Sequence, residues 1–339
     1  MEAIKIVDII IPCYNAADTL PRALASILSQ TKSSQCMVTV VDDCSTEDIK
    51  SICDSFSPYL KIQYIRNEKN MKFPGLVRQV GIDHTSAPII MFLDADDMLA
   101  PSAIHIANNE MTKSGADVLI GSFFSEGKDG KWAKMGSNDT TWLHGNIYRR
   151  QFLKDKGIKF CAQYNEDGSF NTMCYMLSDK VGYIDEPLYY WMFNHKSITR
   201  TENNFSATHA DDVISTLVFS YNTIFKNEYN EKKVFRNMGE HLAFFHKLIS
   251  DIRLLPETEN KEDKENRFWI AIEDFRTQLG LDKFTETQIQ YVKFGFADGF
   301  VKFPKAPGSI KAQEFFNVLF PDTKLEIEDF NIAARQVKK

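Results

Sequence analysis

Polar and acidic side chains follow three apolar, β-branched runs in the first hundred residues. They are Tyr14 and Asn15 after the first run, Asp42 and Asp43 after the second, and Asp94, Asp96 and Asp97 after the third. Carboxylates repel a diphosphate unless a divalent cation lies between them. Hard cations such as Mg²⁺ or Mn²⁺ take carboxylate oxygens together with substrate phosphates. The pattern therefore predicts a metal-assisted site for a phosphate-bearing ligand, with Asp94 and Asp96 pointing the same way if strand geometry continues past Leu93.

The elements around these residues alternate between strand and helix. Strands are predicted at Val7–Ile11, Met37–Val41, Lys61–Ile65 and Pro88–Leu93, with amphipathic helices between them. This order implies an α/β fold with a doubly wound, mostly parallel sheet. Ligands of such sheets bind outside the carboxyl ends of the strands, which is where the polar clusters lie. We therefore expect the clusters to form one site.

The chain changes character after about Thr201. Before that point the sequence predicts a hairpin turn within Phe124–Trp132, a helix at Ile147–Lys156 and short strands at Val181–Ile184 and Leu188–Phe193.

Beyond that point helical spacing dominates, and sixteen of the 26 phenylalanines lie after residue 205. Helices are predicted at Ala210–Phe225, Glu231–Leu255, Glu262–Leu279, Thr285–Phe296 and Ala312–Leu319. We therefore expect two domains, a catalytic α/β domain over residues 1–205 and a smaller, mostly α-helical domain over residues 206–339. The second domain would select the acceptor or form an oligomer.

Composition excludes several classes of protein. The 339 residues are 43% hydrophobic and 25% charged, which excludes a disordered or fibrous chain. The net charge of −6 gives no global case for binding nucleic acid or an anionic membrane. No stretch approaches the roughly 18–20 apolar residues that cross a bilayer, and the N-terminus has no signal-peptide pattern. The six cysteines form no C-x-x-C pair, so we expect reduced thiols in a cytoplasmic protein.

Glycine-rich phosphate-binding motifs are absent from the sequence. Neither G-x-G-x-x-G nor G-x-x-x-x-G-K-[ST] occurs. This argues against dinucleotide dehydrogenases and P-loop NTPases.

Three segments resemble the family-2 glycosyltransferases of the GT-A fold. Val7–Asn15 is similar to the family's opening strand and P-x-Y-N, Val40–Thr46 to its V-D-D-x-S-T nucleotide-binding turn, and Phe92–Asp97 to its D-x-D motif. The resemblance spans about residues 5–200. It implies a metal-dependent, inverting glycosyltransferase that moves a hexosyl or pentosyl group from a nucleoside-diphosphate donor, most often UDP, to an acceptor hydroxyl.

The resemblance also implies site residues. Asp42 or Asp43 would bind the base or ribose, Asp94 would lie near the ribose, and Arg78 would face the donor phosphates. The full set implied for nucleotide-sugar binding is Pro12, Tyr14, Asn15, Asp42, Asp43, Arg78 and Asp94. The cofactor would be Mn²⁺ or Mg²⁺, held by Asp96 with Asp97 beside it and reached by His195 from the family's closing stretch.

Glu166 and Asp167 match the family's E-D pair. A direct displacement at the anomeric carbon needs a carboxylate within hydrogen-bond reach of the acceptor hydroxyl, on the face opposite the leaving nucleotide. The Asp is the base in inverting members. We therefore predict Asp167 as the general base and keep Glu166 as its competitor.

Two other functions stay open at this stage. A nucleotidyltransferase that makes a nucleotide-sugar shares the architecture, but it usually carries a glycine-rich basic loop where this chain has Cys13–Ala17. A non-catalytic nucleotide-sugar-binding module would need neither acidic motif. The favoured acceptor is a saccharide, and a modified DNA base is a rarer alternative that the acidic charge does not support. No membrane span is expected, and a homodimer is kept open.

Overall fold

The computed structural model describes residues 7–136, 141–195, 205–303 and 310–325. The chain divides into two compact units, residues 1–201 and residues 202–339. The first unit holds the sheet, and the second is helical.

Nine strands in the described part of the first unit form one mixed sheet. They are β1 (Val7–Cys13), β2 (Cys36–Asp42), β3 (Ile62–Arg66), β4 (Ile89–Phe92), β5 (Met98–Leu99), β6 (Val118–Glu126), β7 (Trp132–Met135), β8 (Ile147–Arg149) and β9 (Val181–Trp191). Their spatial order is β3-β2-β1-β4-β8-β6-β9-β5, and β7 pairs with β6.

The sheet is parallel from β3 to β4 and mixed beyond β4. β1 pairs in parallel with β2 and β4, and β2 with β3. β8 runs antiparallel to both β4 and β6, and β6 runs parallel to β9. Because two reversals restore the direction, β1, β2, β4, β6 and β9 all end at the same side of the sheet, which we call the carboxyl edge. The predicted α/β architecture is confirmed, with a continuous parallel part over the first four strands along the chain and a second parallel pair, β6 and β9, beyond it.

Six helices accompany these strands in the described part of the first unit. They are α1 (Leu20–Leu28), α2 (Ile49–Phe56), α3 (Pro74–His84), α4 (Ala103–Ser114), α5 (Arg150–Asp155) and α6 (Glu166–Leu177). α1 follows the predicted apolar spacing, with Leu20, Ala23, Leu24 and Ile27 fully buried. β1 is buried along nearly its whole length, as expected for a central parallel strand, and it includes Pro12 rather than ending before it.

Two sequence predictions in this unit were wrong in detail. The helix predicted over Ile147–Lys156 divides into β8 and α5, because Ile147 and Tyr148 are buried where β8 pairs with β4 and β6. The two short strands predicted before Phe193 form the single strand β9. Its pairing with β6 shifts register between Gly121 and Phe123, and this irregularity accommodates the extra residues.

The described part of the second unit contains the five predicted helices, preceded by one short helix, α7 (Phe205–Thr208), that was not predicted. The five are α8 (Ala210–Ile224), α9 (Glu231–Arg253), α10 (Lys261–Leu279), α11 (Glu286–Lys302) and α12 (Ala312–Leu319). Phenylalanine fills their core, where the fully buried rings are those of Phe235, Phe245, Phe268, Phe275, Phe296, Phe315 and Phe316. The proline- and glycine-containing segment Pro304–Gly308, which the sequence predicts as a loop, lies outside the described residues.

α9 and α11 approach each other at glycines. A Cβ atom on Gly295 would lie 1.8 Å from the carbonyl oxygen of Arg236, and one on Gly239 would lie 2.1 Å from the carbonyl oxygen of Val292. Contacts this short with backbone atoms are not sterically allowed. The close crossing of these helices therefore depends on positions to which the sequence analysis assigned no role.

Two expectations about the whole chain can be compared with the structure. No helix in the described ranges combines the length and apolar character that a membrane span requires. All six cysteines are free thiols, and five of them are buried.

Candidate active site

The loops after β1 and β2 are joined through Asn15. Asn15 adopts a left-handed backbone conformation with φ of 47°, which asparagine tolerates better than most residues. Its backbone N–H donates to Ser45 Oγ at 2.9 Å, and its side-chain carbonyl accepts from the Thr46 N–H at 2.8 Å. Tyr14 beside it is 53% exposed. An open aromatic face therefore stands on a fixed loop at the carboxyl edge.

The buried carboxylates of Asp42 and Asp43 hold the loops of the same region through hydrogen bonds. The Asp42 carboxylate accepts from the Ser45 N–H at 2.8 Å and from the Tyr64 hydroxyl at 2.6 Å, and it pairs with Arg66. Burial alone would raise the pKa of Asp42, but these hydrogen bonds outweigh it and lower the pKa. The carboxylate of Asp43 accepts from the backbone N–H of Met71 at 3.0 Å. Both carboxylates therefore hold loops in place as well as lying where the sequence analysis expected the nucleotide.

Arg78 joins three carboxylates from different parts of the fold. Its guanidinium donates to Asp94 Oδ1 at 2.7 Å, to Asp167 Oδ1 at 2.9 Å and to Glu166 Oε1 at 3.3 Å. Arg78 lies on α3, Asp94 follows β4, and Glu166 and Asp167 begin α6. We call these four residues the Arg78 cluster. The structure thus brings together the predicted donor-binding arginine, Asp94 of the D-x-D motif and the predicted base.

The start of α3 is shaped to receive Glu166. A Cβ atom on Gly75 would lie 2.5 Å from Glu166 Cγ and 3.1 Å from the Phe160 ring, so only glycine leaves room for this carboxylate. Phe160 stacks on Phe170 of α6 at 4.1 Å, which braces the first turn of that helix. Glu166 is therefore packed between α3 and α6, and its side chain is 12% exposed.

The acidic motif after β4 turns instead of continuing as a strand. β4 ends at Phe92, and the Asp97 N–H donates to the Asp94 carbonyl at 3.1 Å. Asp94 and Asp96 therefore do not share one direction as the sequence analysis expected. The carboxylate of Asp96 accepts from Asn194 at 2.7 Å.

The same turn brings Asp94 and Asp97 together with His144. One ligand atom from each of these three residues lies within 4.8 Å of the others. The Tyr189 hydroxyl links the two aspartates, since it donates to Asp97 at 2.6 Å and accepts from the Asp94 N–H at 3.2 Å. Asp96, which was expected to hold the metal, is not in this group.

His144 was missed by the sequence analysis, although it lies in a segment before the E-D pair. Its ring stacks on Trp142 at 5.7 Å and packs against Tyr189 at 4.7 Å and Trp191 at 4.9 Å. Its Nδ1 is buried without a hydrogen-bond partner. A histidine held this rigidly beside two aspartates is a candidate ligand, and spacing along the chain gave no signal for it.

His195 stands apart from this group in the part of the chain that the structure describes. It is exposed and packs edge-on against Phe193 at 4.8 Å. The three ligand atoms drawn together by the fold come from Asp94, Asp97 and His144 instead.

Burial and neighbouring charge push the carboxyl pKa values apart. Burial, opposed by Arg78, raises the pKa of Asp167 to about 7. Burial and then the charges of Asp94 and Asp96 raise the pKa of Asp97 well above its ordinary value. Burial acts upward on the pKa of Asp94 too, but the charge of Arg78 and contact with His144 lower it overall. An ionised carboxylate next to one that titrates near neutrality is an arrangement suited to acid–base chemistry.

The comparisons with known proteins agree with this geometry. The sequence model of "Glycosyl transferase family 2" matches residues 8–166. The chain is 27% identical over 225 residues to glycosyltransferase GlyA of Streptococcus pneumoniae, a match that covers 57% of this chain and 31% of GlyA. It is 25% identical over 201 residues to poly(ribitol-phosphate) beta-N-acetylglucosaminyltransferase TarS of Staphylococcus aureus, covering 54% of this chain and 35% of TarS. The chain thus spans about a third of each relative.

Solved structures of TarS share the fold. The fragment TarS 1-349 superposes with a TM-score of 0.58 at 17% identity, covering 98% of this chain and 91% of the fragment. The same fragment in complex with UDP and with UDP-GlcNAc gives TM-scores of 0.55 and 0.53. The family match thus covers residues 8–166, which hold the strand-end acidic motif, and the likeness to TarS shows that the chain shares its fold.

Proposed function

We propose that this glycosyltransferase moves a sugar from a UDP-sugar to an acceptor hydroxyl with inversion and with the help of a divalent metal. TarS, whose fold it shares, has been solved with UDP and with UDP-GlcNAc. Tyr14 and Asn15 stand at the same edge of the sheet as the Arg78 cluster, which supports a nucleotide site beside the reacting groups. The nucleotide loops would hold the base and ribose, and the cluster would face the anomeric carbon.

Asp167 carries the proposal as the general base. Its side chain is 26% exposed, so a substrate hydroxyl has access to the carboxylate, and Arg78 fixes it at 2.9 Å. With a pKa of about 7, it would be both ionised and basic enough to take a proton near neutral pH. The acceptor oxygen would then attack the anomeric carbon as the sugar–phosphate bond breaks, and Asp167 would retain the acceptor proton.

Glu166 is less suited to the same role. Its side chain packs against Gly75, and its contact with Arg78 is longer, at 3.3 Å. A carboxylate wedged between two helices has little freedom to follow a substrate. We therefore assign Glu166 to positioning α3 against α6.

Arg78 is also better suited to positioning than to binding phosphate. Three carboxylates surround its guanidinium, which is 6% exposed and so has little surface left for a donor phosphate. We infer that Arg78 holds Asp94 and Asp167 at a fixed separation. This revises the role that the family resemblance implied for it.

The residues present fit a divalent cation. Asp94, Asp97 and His144 offer two carboxylates and an imidazole, a donor set compatible with Mn²⁺ and, through the carboxylates, with Mg²⁺. The position of His144 Nε2, 3.8 Å from Asp94 Oδ2, and the accumulated negative charge around Asp97 support the fit. A bound cation would stabilise the departing diphosphate. The chain's own residues would hold it, while Asn194 would anchor Asp96 next to them.

The acceptor is proposed from the chemistry of the relatives. TarS, and TarP at 24% identity, are named as transferases acting on poly(ribitol phosphate). The names of GlyA and of a second relative, glycosyltransferase GlyG of Streptococcus pneumoniae, state no acceptor. We propose a hydroxyl of a surface saccharide or related polymer as the acceptor, with the helical unit contributing to its selection.

A donor screen tests the proposal. The full chain is incubated with UDP-GlcNAc, UDP-glucose or UDP-galactose and either Mn²⁺ or Mg²⁺, and released UDP is measured. Metal-dependent UDP release with an inverted anomeric product seen by NMR is expected. A retained anomer would contradict the mechanism, and pyrophosphate formation from a sugar phosphate and UTP would favour a nucleotidyltransferase.

The metal assignment has its own test. Asp97→Asn should weaken metal-dependent UDP binding more than Asp96→Asn, because the Asp97 carboxylate lies in the three-residue group. Isothermal titration of UDP with and without Mn²⁺ measures both. Equal losses in the two variants, or a loss confined to Asp96→Asn, would return the assignment to Asp96.

A further inference from the structure

Three aromatic rings form an open surface on the sheet. Phe124 stacks on Tyr190 at 5.6 Å with their planes 15° apart, and Trp132 meets Tyr190 edge-on at 5.6 Å. Trp132 is 43% exposed, the one exposed tryptophan among the described residues, while Phe124 and Tyr190 beside it are partly buried. We call Phe124, Trp132 and Tyr190 the aromatic platform.

The platform lies at the carboxyl edge, on the opposite side of β4 from the nucleotide loops. Phe124 and Tyr190 stand near the ends of β6 and β9, which share their direction with β4. Asn15 follows β1 and Asp42 is the last residue of β2, in the other half of the sheet. At about 4.8 Å per strand, β6 and β9 lie roughly 10–15 Å from β4. The Arg78 cluster therefore lies between the proposed donor side and the platform.

A chain of contacts ties the platform to the acidic turn. Trp132 is opposite Glu126 in the β6–β7 pairing. Glu126 accepts from the Phe193 N–H at 2.9 Å, and Asn194, the next residue, donates to Asp96 at 2.7 Å. The platform and the acidic turn are thus parts of one rigid framework.

The platform and the cluster occupy opposite faces of the same edge. Successive strand residues point to opposite sides, and Tyr189, which binds Asp97, precedes Tyr190. A ligand on the platform would reach Asp167 by passing over the edge. Only an extended ligand can do this, so the platform would hold a part of the acceptor distant from the reacting hydroxyl.

The chemistry around the rings favours a sugar. Aromatic faces pack against the C–H faces of a pyranose, and the rim needs partners for hydroxyl groups. Lys134, opposite Phe124 in the pairing, forms an exposed ion pair with Asp185 at 2.9 Å and offers both donors and an acceptor. A stable protein interface buries about 800 Å² per partner, which is more than three partly buried rings provide.

We propose that the aromatic platform is a subsite for a sugar ring of an extended acceptor saccharide, remote from the ring that receives the new sugar. This rests on the proposed transfer to a saccharide acceptor. It adds that the acceptor would be an extended saccharide, which the aromatic platform would recognise.

The experiment measures saccharide binding without donor or metal. The full chain is titrated with chitotetraose, cellotetraose, maltotetraose and a sugar-free ribitol phosphate oligomer, using isothermal titration and saturation-transfer NMR. At least one tetrasaccharide should bind, with transfer to the pyranose C–H protons. Trp132→Ala should weaken that binding by about tenfold, since it removes the exposed ring face.

Two variants separate stacking from folding. Trp132→Phe keeps an aromatic face and should restore most of the affinity. Tyr183→Ala removes another exposed ring of β9, 63% exposed and outside the platform, and should bind like the parent chain. Thermal unfolding of all three variants checks that the sheet is intact.

The outcomes are distinct. The subsite is overturned if no tetrasaccharide binds, if Trp132→Ala binds as tightly as the parent chain, or if the ribitol phosphate oligomer alone depends on Trp132. If the parent chain releases no UDP from any donor and still binds a tetrasaccharide through Trp132, the transferase proposal fails and the subsite stands.

Discussion

The two units of this chain fill their interiors with different chemistry. At the edge of the sheet, one buried arginine holds three carboxylates. In the helical unit, phenylalanine rings fill the core and glycines let α9 and α11 approach. Buried charge is costly unless it is paired, whereas buried aromatic surface is favourable.

The cost of the charged arrangement is visible in unpaired atoms. Among the described residues, four buried side-chain polar atoms lack a partner, and those of Asp8, Arg78 and His144 lie in the first unit. Two of the three belong to the candidate site. Unpaired buried polar groups are rare in folded proteins, and each costs stability. Three of the four lie in the first unit, whereas the helical unit holds one, at Arg276.

Removing the proposed base, Asp167, tests whether the charged cluster of the first unit serves catalysis, and it should have the largest effect. Asp167→Asn should lower UDP-sugar turnover by about 10²–10⁴-fold, because the amide cannot accept the acceptor proton. Donor affinity and thermal unfolding should change little. Asp179→Asn, an exposed position just after α6, serves as the control. Turnover above half of the parent value would remove Asp167 from the mechanism.

Replacing a glycine with alanine tests whether the helical unit depends on close packing of its helices. Gly295→Ala should lower the free energy of unfolding of the helical unit by about 3 kcal/mol, because its Cβ would collide with the backbone of Arg236. Urea unfolding followed by circular dichroism measures the loss. Gly136→Ala, where no atom lies within 4 Å, should be nearly neutral. Equal effects at the two positions would show that the helices relax easily.

Asp8 tests whether burial of charge costs stability in the first unit. Burial raises the pKa of Asp8 to about 6, from 3.8. The folded state therefore holds this proton more tightly, and the resulting stability is complete below about pH 4 and is lost as pH rises through 6. By linkage the loss is about 3 kcal/mol.

Asp8→Asn should lack that pH-dependent loss. The difference in unfolding free energy between variant and parent should shift in favour of the variant between pH 4 and pH 7. Urea unfolding at the two pH values measures it, and Asp18→Asn on the surface should show no such shift. A constant difference across the range would mean that Asp8 is not the titrating group.

Arg78 should control the pH dependence of turnover, the smallest of the four effects. Asp167 must be ionised to act, so turnover should rise as pH passes about 7. Arg78→Gln removes the positive charge that favours the ionised form, and the rise should move about one pH unit higher. Arg78→Lys should move it less. If the pH profile of turnover in both variants is unchanged from that of the parent chain, Arg78 has a purely structural role.

The local sequence pattern was sufficient to predict features that depend on residues close together along the chain. The β-branched run of β1 and the spacing in α1 predicted elements that the structure contains. Asp94 and Asp97 were singled out because they follow an apolar strand, and the fold gathers them at the carboxyl edge. The E-D pair was found by its resemblance to the family, and it does meet Arg78.

The rest depended on contacts that have no signature along the chain. His144 is brought to the acidic turn by strand pairing, while Asp96 turns away because β4 ends at Phe92. β8 forms where a helix was predicted because its neighbours offer unpaired backbone groups.

By itself, the sequence determined an α/β fold with acidic groups at its strand ends, because periodicity and short motifs act over a few residues. Only the tertiary structure decided which of those groups meet, that Arg78 holds Asp167 in place, and that an aromatic platform shares the edge. Such decisions rest on steric fit and electrostatics between residues as far apart as Arg78 and Asp167, and those distances exist only once the chain is folded.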